Sequence, residues 1–314
     1  MAPRLASISV DLDSLPHYCR IHGLPESLLD ARARGLVYTT AVPRLRELLA
    51  QVGVPGTLFA IGEDVAGDAR AAGVLREAHA AGVEVASHSF SHDYALTRRT
   101  PDAIREDLRR ADEVLEAATG ARPEGFRAPG YTLNAALYAA TVERGYRYGS
   151  SAFPATPYYA AKAAVMGALA MLRRPSRAVL DSPRVLLAPR TPYWPDPARP
   201  YTRGQGAVLE LPMTVVPGVR FPFIGTFVTT LPLPAVEAAY RACQGDVFFN
   251  LELHAVDVLD AEDGIPPELV RQQRDLRVPA ARKLERLRTV FQWLRADRDV
   301  VTLRDAALQL APTV

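Results

Sequence analysis

The sequence predicts an α/β protein built as a (β/α) barrel, and two observations predict it. Short β-rich stretches alternate with Ala-, Leu- and Arg-rich helical stretches, the rhythm that parallel βα units produce. Eight strand candidates and at least six helices within 314 residues suit one barrel, which closes with roughly 250 residues, better than two domains. With 48% hydrophobic residues, 20 Gly, 26 Pro and 2 Cys, the chain is neither disordered, nor collagen-like, nor a disulfide-stapled miniprotein.

In chain order the strands are expected at 7–12, where Ile8 and Val10 alternate with polar residues, then at 57–61, 84–87, 125–127, 146–150, 208–212, 247–254 and 300–303. Helices are expected at 40–51, 67–80, 101–118, 134–144, 234–242 and 279–294. Catalytic residues of such a barrel sit at the carboxyl ends of its strands. Residues 154–206 break the rhythm with Pro at 154, 157, 175, 183, 189, 192, 195, 197 and 200. This stretch is too apolar to be a solvated linker and reads as an inserted, partly extended excursion from a single domain spanning 1–314.

Charge and motifs narrow the function. Lys+Arg 37 against Asp+Glu 35 gives +2 without a long run of one sign, so no nucleic-acid footprint is expected. The phosphate loops GxGxxG and GxxxxGK[ST] are absent, which leaves nucleotide chemistry without a motif. Cys19 and Cys243 form no CxxC spacing and permit a reducing compartment. The amino terminus lacks an apolar signal region, giving a cytoplasmic expectation, and the longest apolar run, about ten residues, is too short to span a bilayer.

Four strand ends carry chemistry. The first ends in Val10-Asp11-Leu12-Asp13, whose alternation turns both carboxylates to one side. The third runs into Ser87-His88-Ser89-Phe90-Ser91-His92, with imidazoles at i and i+4 that share one metal if the segment turns helical. The fourth gives Phe126-Arg127-Ala128-Pro129-Gly130-Tyr131, and the seventh gives Asn250-Leu251-Glu252-Leu253-His254.

In order, DxD, HSxSH, RAPG and LELH resemble the motifs of the polysaccharide deacetylases, carbohydrate esterase family 4. The resemblance covers roughly residues 7–254 and implies a distorted (β/α) barrel of about seven strands carrying a metal-dependent hydrolase site. It implies Asp11 as catalytic base, and Asp13, His88 and His92 as ligands of one divalent ion. Zinc suits that His2Asp set first, and cobalt, nickel or manganese also fit it. It implies Arg127 as the partner of the base carboxylate, the Gly130 N–H as an oxyanion donor, and His254 as general acid. Tyr131 is implied to contact substrate and Leu251 to line the acyl slot. The expected substrate is an N-acylated amino sugar, lipid-linked or nucleotide-linked.

Two departures mark this chain. Leu12 separates acids that are adjacent in the common form, which resembles a spaced-DxD branch including intracellular peptidoglycan-type deacetylases and formamido-arabinose lipid deformylases. Gly149 stands where some relatives carry Asp, so the acid histidine lacks that charge; Asp257 and Asp93 are the candidates to replace it. Hydrolysis of a cyclic amide on the same fold is the second expectation, and a noncatalytic sugar-binding barrel the third.

Three further features complete the reading. His17, Cys19 and His22 lie in the loop expected after the first strand, without a fourth metal ligand, and His17 is expected to touch substrate. Within the excursion, 161–169 reads as an apolar helix before Arg173, Arg174 and Arg177. Packing on the barrel is its first reading, and peripheral contact with an anionic membrane its second. Tyr193, Trp194, Arg220, Phe221 and Phe223 are candidates to line a sugar cleft, with packing an equal alternative.

Overall fold

The computed structural model describes residues 4–171 and 179–314. Its strands are β1 (Leu5–Asp11), β2 (Thr57–Ala60), β3 (Glu84–Ser87), β4 (Gly125–Phe126), β5 (Tyr148–Gly149), β6 (Pro195–Asp196), β7 (Arg199–Arg203), β8 (Leu209–Glu210), β9 (Phe248–His254) and β10 (Asp299–Val300). Seven of them run parallel in the order β9-β1-β2-β3-β4-β5-β8 and curl through 219°, a half-barrel wrapped by helices. This is the distorted (β/α) barrel that the sequence predicts. β10 pairs with Leu5 and Ala6 at the start of β1, leaving Ser9–Asp11 to β2. β6 and β7 form a separate antiparallel hairpin.

Period-two alternation divides the sheet into a wall and a lumen. Ala6, Ile8 and Val10 of β1, with Phe249, Leu251 and Leu253 of β9, join the buried cluster shared with Leu287, Val290, Phe291 and Leu294 of the helix Ala280–Asp297. The opposite face looks into the lumen. Leu5, Tyr148 and Phe248 pack toward its amino-terminal end with Phe59 next to them, and the chemistry-bearing side chains stand at its carboxyl end. β1 and β9 pair over seven consecutive residues, Leu5 with Phe248 through Asp11 with His254.

The gap between β8 and β9 is bridged by the segment following β8. Thr214 N–H donates to Asn250 O, Asn250 N–H donates to Thr214 Oγ1, and Ile224 bridges Glu252 in parallel. At β8 itself, Tyr193 exchanges backbone hydrogen bonds with Glu210. Part of the insertion thus covers an edge that would otherwise offer unpaired peptide groups.

The expected strands are present, with ends moved by up to three residues. The last is only Asp299–Val300, and Leu303 opens a helix, Leu303–Leu310. The supposed loop after β1 is the helix Leu15–His22, started by Ser14 and Pro16 and stopped by left-handed Gly23. A further helix, Gly225–Thr230, is built from β-branched residues that favour strands. The insertion contains the helix Thr156–Met171, longer than the expected 161–169, then a 3-10 turn, Pro183–Leu187, and the hairpin. Arg173, Arg174 and Arg177 lie outside the described residues. No helix among the described residues is long and apolar enough to cross a membrane.

Candidate metal and acid–base site

Alternation continues past the strand ends and assembles the site. Asp11 and Asp13 follow Ser9 into the lumen, His88 follows Ala86, Arg127 follows Gly125, and Glu252 and His254 follow Asn250. Asp13, His88 and His92 are buried, with one donor atom from each lying within 4.8 Å of the other two. Asp13 Oδ1 lies 3.4 Å from His88 Nε2 and 3.2 Å from His92 Nε2. Donors about 2.0–2.1 Å from a tetrahedral ion stand about 3.3 Å apart, so these spacings match such a cage.

Protonation supports the fit. His88 Nδ1 donates to Arg127 O at 2.8 Å, so in its neutral form His88 turns the Nε2 lone pair toward Asp13. Against burial, Asp11 and Asp13 raise its value, and a cation in the cage would displace the Nε2 proton of the charged form. Asp13 Oδ1 and His92 Nε2 are buried without a hydrogen-bond partner, a cost that a cation between them removes. Burial opposes the Asp13 charge, but His92 and His88 outweigh it and hold the carboxyl well below its ordinary value. Burial pushes the His92 imidazole down to about 4 against the pull of Asp13, so it is neutral, as a ligand must be. The i,i+4 histidines meet without a helix. Ser89 and His92 adopt φ of 68° and 49°, and the Ser89 hydroxyl accepts the His92 N–H at 3.0 Å.

Beside this triad stands an acid–base pair. Asp11 Oδ1 accepts from Arg127 Nη1 at 2.6 Å. Arg127 is wholly buried, donating also to Ser9 Oγ, Ser150 Oγ and Ser150 O, each at 2.8 Å, with Phe59 stacked 4.1 Å from the guanidinium carbon. Asn250 ties Ser9 to Ser150 beneath it. Across the β1–β9 pairing His254 sits opposite Asp11, its Nδ1 2.9 Å from Glu252 Oε1. Tyr131 Oη donates to Glu252 Oε1 at 3.2 Å and lies 3.3 Å from His254 Nε2. Asp11, Glu252 and His254 also come close enough to resemble a second metal cage. However, two carboxylates there face the Arg127 guanidinium and an imidazole held positive, so the group is charge-balanced and offers a cation little.

Gly130 has φ of +61°, and a Cβ there would meet Tyr94 Cδ1 at 2.4 Å, so any side chain strains the backbone and displaces the Tyr94 ring. Leu251 is not at the site, because alternation turns it to the helix-facing core while Glu252 takes the lumen side. The residue that sequence reasoning passed over is Glu252, whose i,i+2 relation to His254 on a strand was the available signal. Asp257 instead accepts the His254 backbone N–H at 2.9 Å, and Asp93 pairs with Arg99 at 2.6 Å. Gly149 pairs with Glu210 rather than facing the site, and its Cβ would lie 2.5 Å from Glu210 Oε2.

The helix Leu15–His22 separates the H-x-C-x2-H residues: His17 rests against His92 with ring centroids 4.5 Å apart, His22 meets Gln273, and Cys19 is core. Tyr193 and Phe223 are core residues too, Trp194 and Phe221 pack at core margins, and Arg220 holds the carbonyls of Leu186 and Ala188.

Residues 34–149 match the family model for polysaccharide deacetylase. That span includes His88, His92, Arg127, Gly130 and Tyr131. A candidate polysaccharide deacetylase from Mycobacterium smegmatis superposes with a TM-score of 0.62 at 19% identity, covering 99% of this chain and 92% of that chain. A CE4 family pseudoenzyme from Bacillus anthracis does so at 0.50 and 12%, covering 97% and 66%. No curated protein matches the chain. The family model spans just over a third of the chain, and the solved structures share its fold. Asp11, Asp13 and His254 lie outside the matched span, and it is the barrel that brings them to His88, His92 and Arg127.

Proposed function

We propose that this protein is a metal-dependent hydrolase that removes an N-acyl group, acetyl or formyl, from an amino sugar. One observation carries the reading: a cation-ready Asp13–His88–His92 cage lies beside Asp11 and His254, cross-strand neighbours suited to take and give a proton. Asp13, His88 and His92 would hold a divalent cation, zinc by their donor chemistry, which would supply Lewis acidity toward the acyl carbonyl and the attacking water. Asp11, oriented by Arg127, takes a proton from the water that attacks the carbonyl carbon. The Gly130 N–H donates to the oxygen on which negative charge develops. His254 gives its Nε2 proton to the nitrogen as the C–N bond breaks, so a carboxylate and an amine leave. The Tyr131 hydroxyl borders that nitrogen position.

A lipid-linked substrate on the cytoplasmic side is the finer form of the proposal. Free, buried Cys19 and Cys243 suit a reducing compartment. Leu187 and Val219, 82% and 65% exposed, tip two loops joined by Arg220. These loops follow β5 and β8, whose carboxyl ends border the site. Vesicle pelleting that increases with anionic lipid, and declines in Leu187→Ser/Val219→Ser, supports this form; indifference to lipid charge removes it.

The test of the reaction is metal analysis followed by acetate- and formate-release assays on N-acyl amino sugars and a cyclic ureide. Asp13→Ala and His88→Ala should lose metal and activity together, whereas His254→Ala should keep metal and lose activity. Unchanged metal in all three overturns the site. Ureide turnover without metal supports cyclic-amide hydrolysis, and bound metal without either activity supports a binding barrel.

A further inference from the structure

A group that protonates an amine leaving group must still carry its proton near neutral pH, and burial works against an imidazolium. The His254 side chain is only 24% exposed. We propose that Glu252 is the positioning residue that holds His254 charged and aims its Nε2 at the reacting nitrogen, the Tyr131 hydroxyl tying Glu252 in place. This rests on His254 being the acid of the proposed hydrolysis.

The geometry selects Glu252 from the acids around the imidazole. Its Oε1 is 2.9 Å from His254 Nδ1, which leaves Nε2 on the site side, beside Tyr131 Oη. Asp257 is committed to the His254 backbone N–H, so it fixes the strand end rather than the ring. Asp11 is taken by Arg127, and Asp13 belongs to the cage, where a bound cation would cancel most of its field at His254. Glu210 is bound to the Ser151 and Ala152 N–H groups. Burial would lower the His254 value, but Glu252 first, then Asp13 and Asp11, reverse it and hold the ring well above its ordinary value.

The fold supplies the means. Residues two apart on a strand share a face, so Glu252 and His254 both enter the lumen from β9. The β1 residue paired with Glu252 is Ser9, small enough to leave room for the carboxylate. Glu252 is fully buried and its Oε2 has no partner; the desolvation this entails is tolerable because the imidazolium and the Tyr131 hydroxyl lie against Oε1. The acid and the group that charges it therefore come from one strand, without an acid at position 149.

The experiment uses the metal-loaded full chain and the isosteric Glu252→Gln. Proton NMR of the His254 ring against pH should give a titration well above 6.5 in the parent and at least one unit lower in Glu252→Gln. Metal content should be unchanged. In acyl-release assays kcat should fall about 10- to 100-fold with little change in KM, and the alkaline limb of kcat should move to lower pH. Glu252→Asp, which keeps the charge, should recover part of both effects, and it serves alone if Glu252→Gln does not fold. A His254 titration that Glu252→Gln leaves in place, or Glu252→Asp behaving as the parent at every pH, overturns the proposal. Because the NMR measurement needs no turnover, its failure is distinct from failure of the hydrolase reading.

Discussion

Arg127 shows how one buried side chain sets several others. Its guanidinium meets Asp11, Ser9 and Ser150 in one cluster, so the charge is neutralised and its donors are used. Arg127→Ala would strand Asp11 inside the lumen, and stability should fall by about 3–5 kcal/mol in urea unfolding. Gly130 is constrained for a different reason. Its positive φ and the Tyr94 ring leave no place for Cβ, so Gly130→Ala should cost about 1–3 kcal/mol and lower kcat. Adding Tyr94→Ala should return the steric part of that stability and leave the φ penalty, a difference that thermal unfolding of the two variants reads.

At the level of elements, alternation made the site legible. Asp11, Asp13, His88, Arg127 and His254 could be placed because each lies an even number of residues beyond a lumen-facing strand position. The same rule contained Glu252 and excluded Leu251, yet the family motif drew attention to the leucine. The helix Leu15–His22 was equally readable from Ser14, Pro16 and Gly23, although the expectation there is a loop carrying His17 toward substrate. Gly225–Thr230 was not readable, since its helical state comes from packing on β9 and the helix Ala280–Asp297 rather than from local preference. Glu210, at the β5–β8 pairing, offers a test of element energetics. Burial lifts its carboxyl to about 7, against the two backbone N–H groups that bind it. The folded state therefore holds a proton that the unfolded state releases near 4.5. This contribution is complete below that pH and is lost as pH rises to 7, up to about 3 kcal/mol. Glu210→Gln should flatten that decline when urea midpoints are compared at pH 5 and pH 8; an unchanged slope would contradict the buried, proton-holding carboxyl.

For the whole molecule, the insertion is more than a decoration on the barrel. It lends Tyr193 to the edge of β8, and its helix places Tyr158 against Phe153, which packs on Tyr131, so the cover of the β8 edge and part of the site wall come from one stretch. Its proline pattern announced an excursion, but only long-range pairing could reveal where it docks. The seven-residue zip of β1 to β9 has a consequence in time as well as in space. Asp11 and His254 terminate the longest ladder in the sheet, so they separate only when that ladder opens, whereas His92 hangs from a loop held in left-handed backbone. In native-state hydrogen exchange the amides of Ile8, Val10 and Leu253 should be among the last to exchange, and those around residues 88–93 much earlier. Such a molecule would open the Asp13–His88–His92 cage through local breathing while the spacing of Asp11 and His254 is kept by the longest ladder of the sheet.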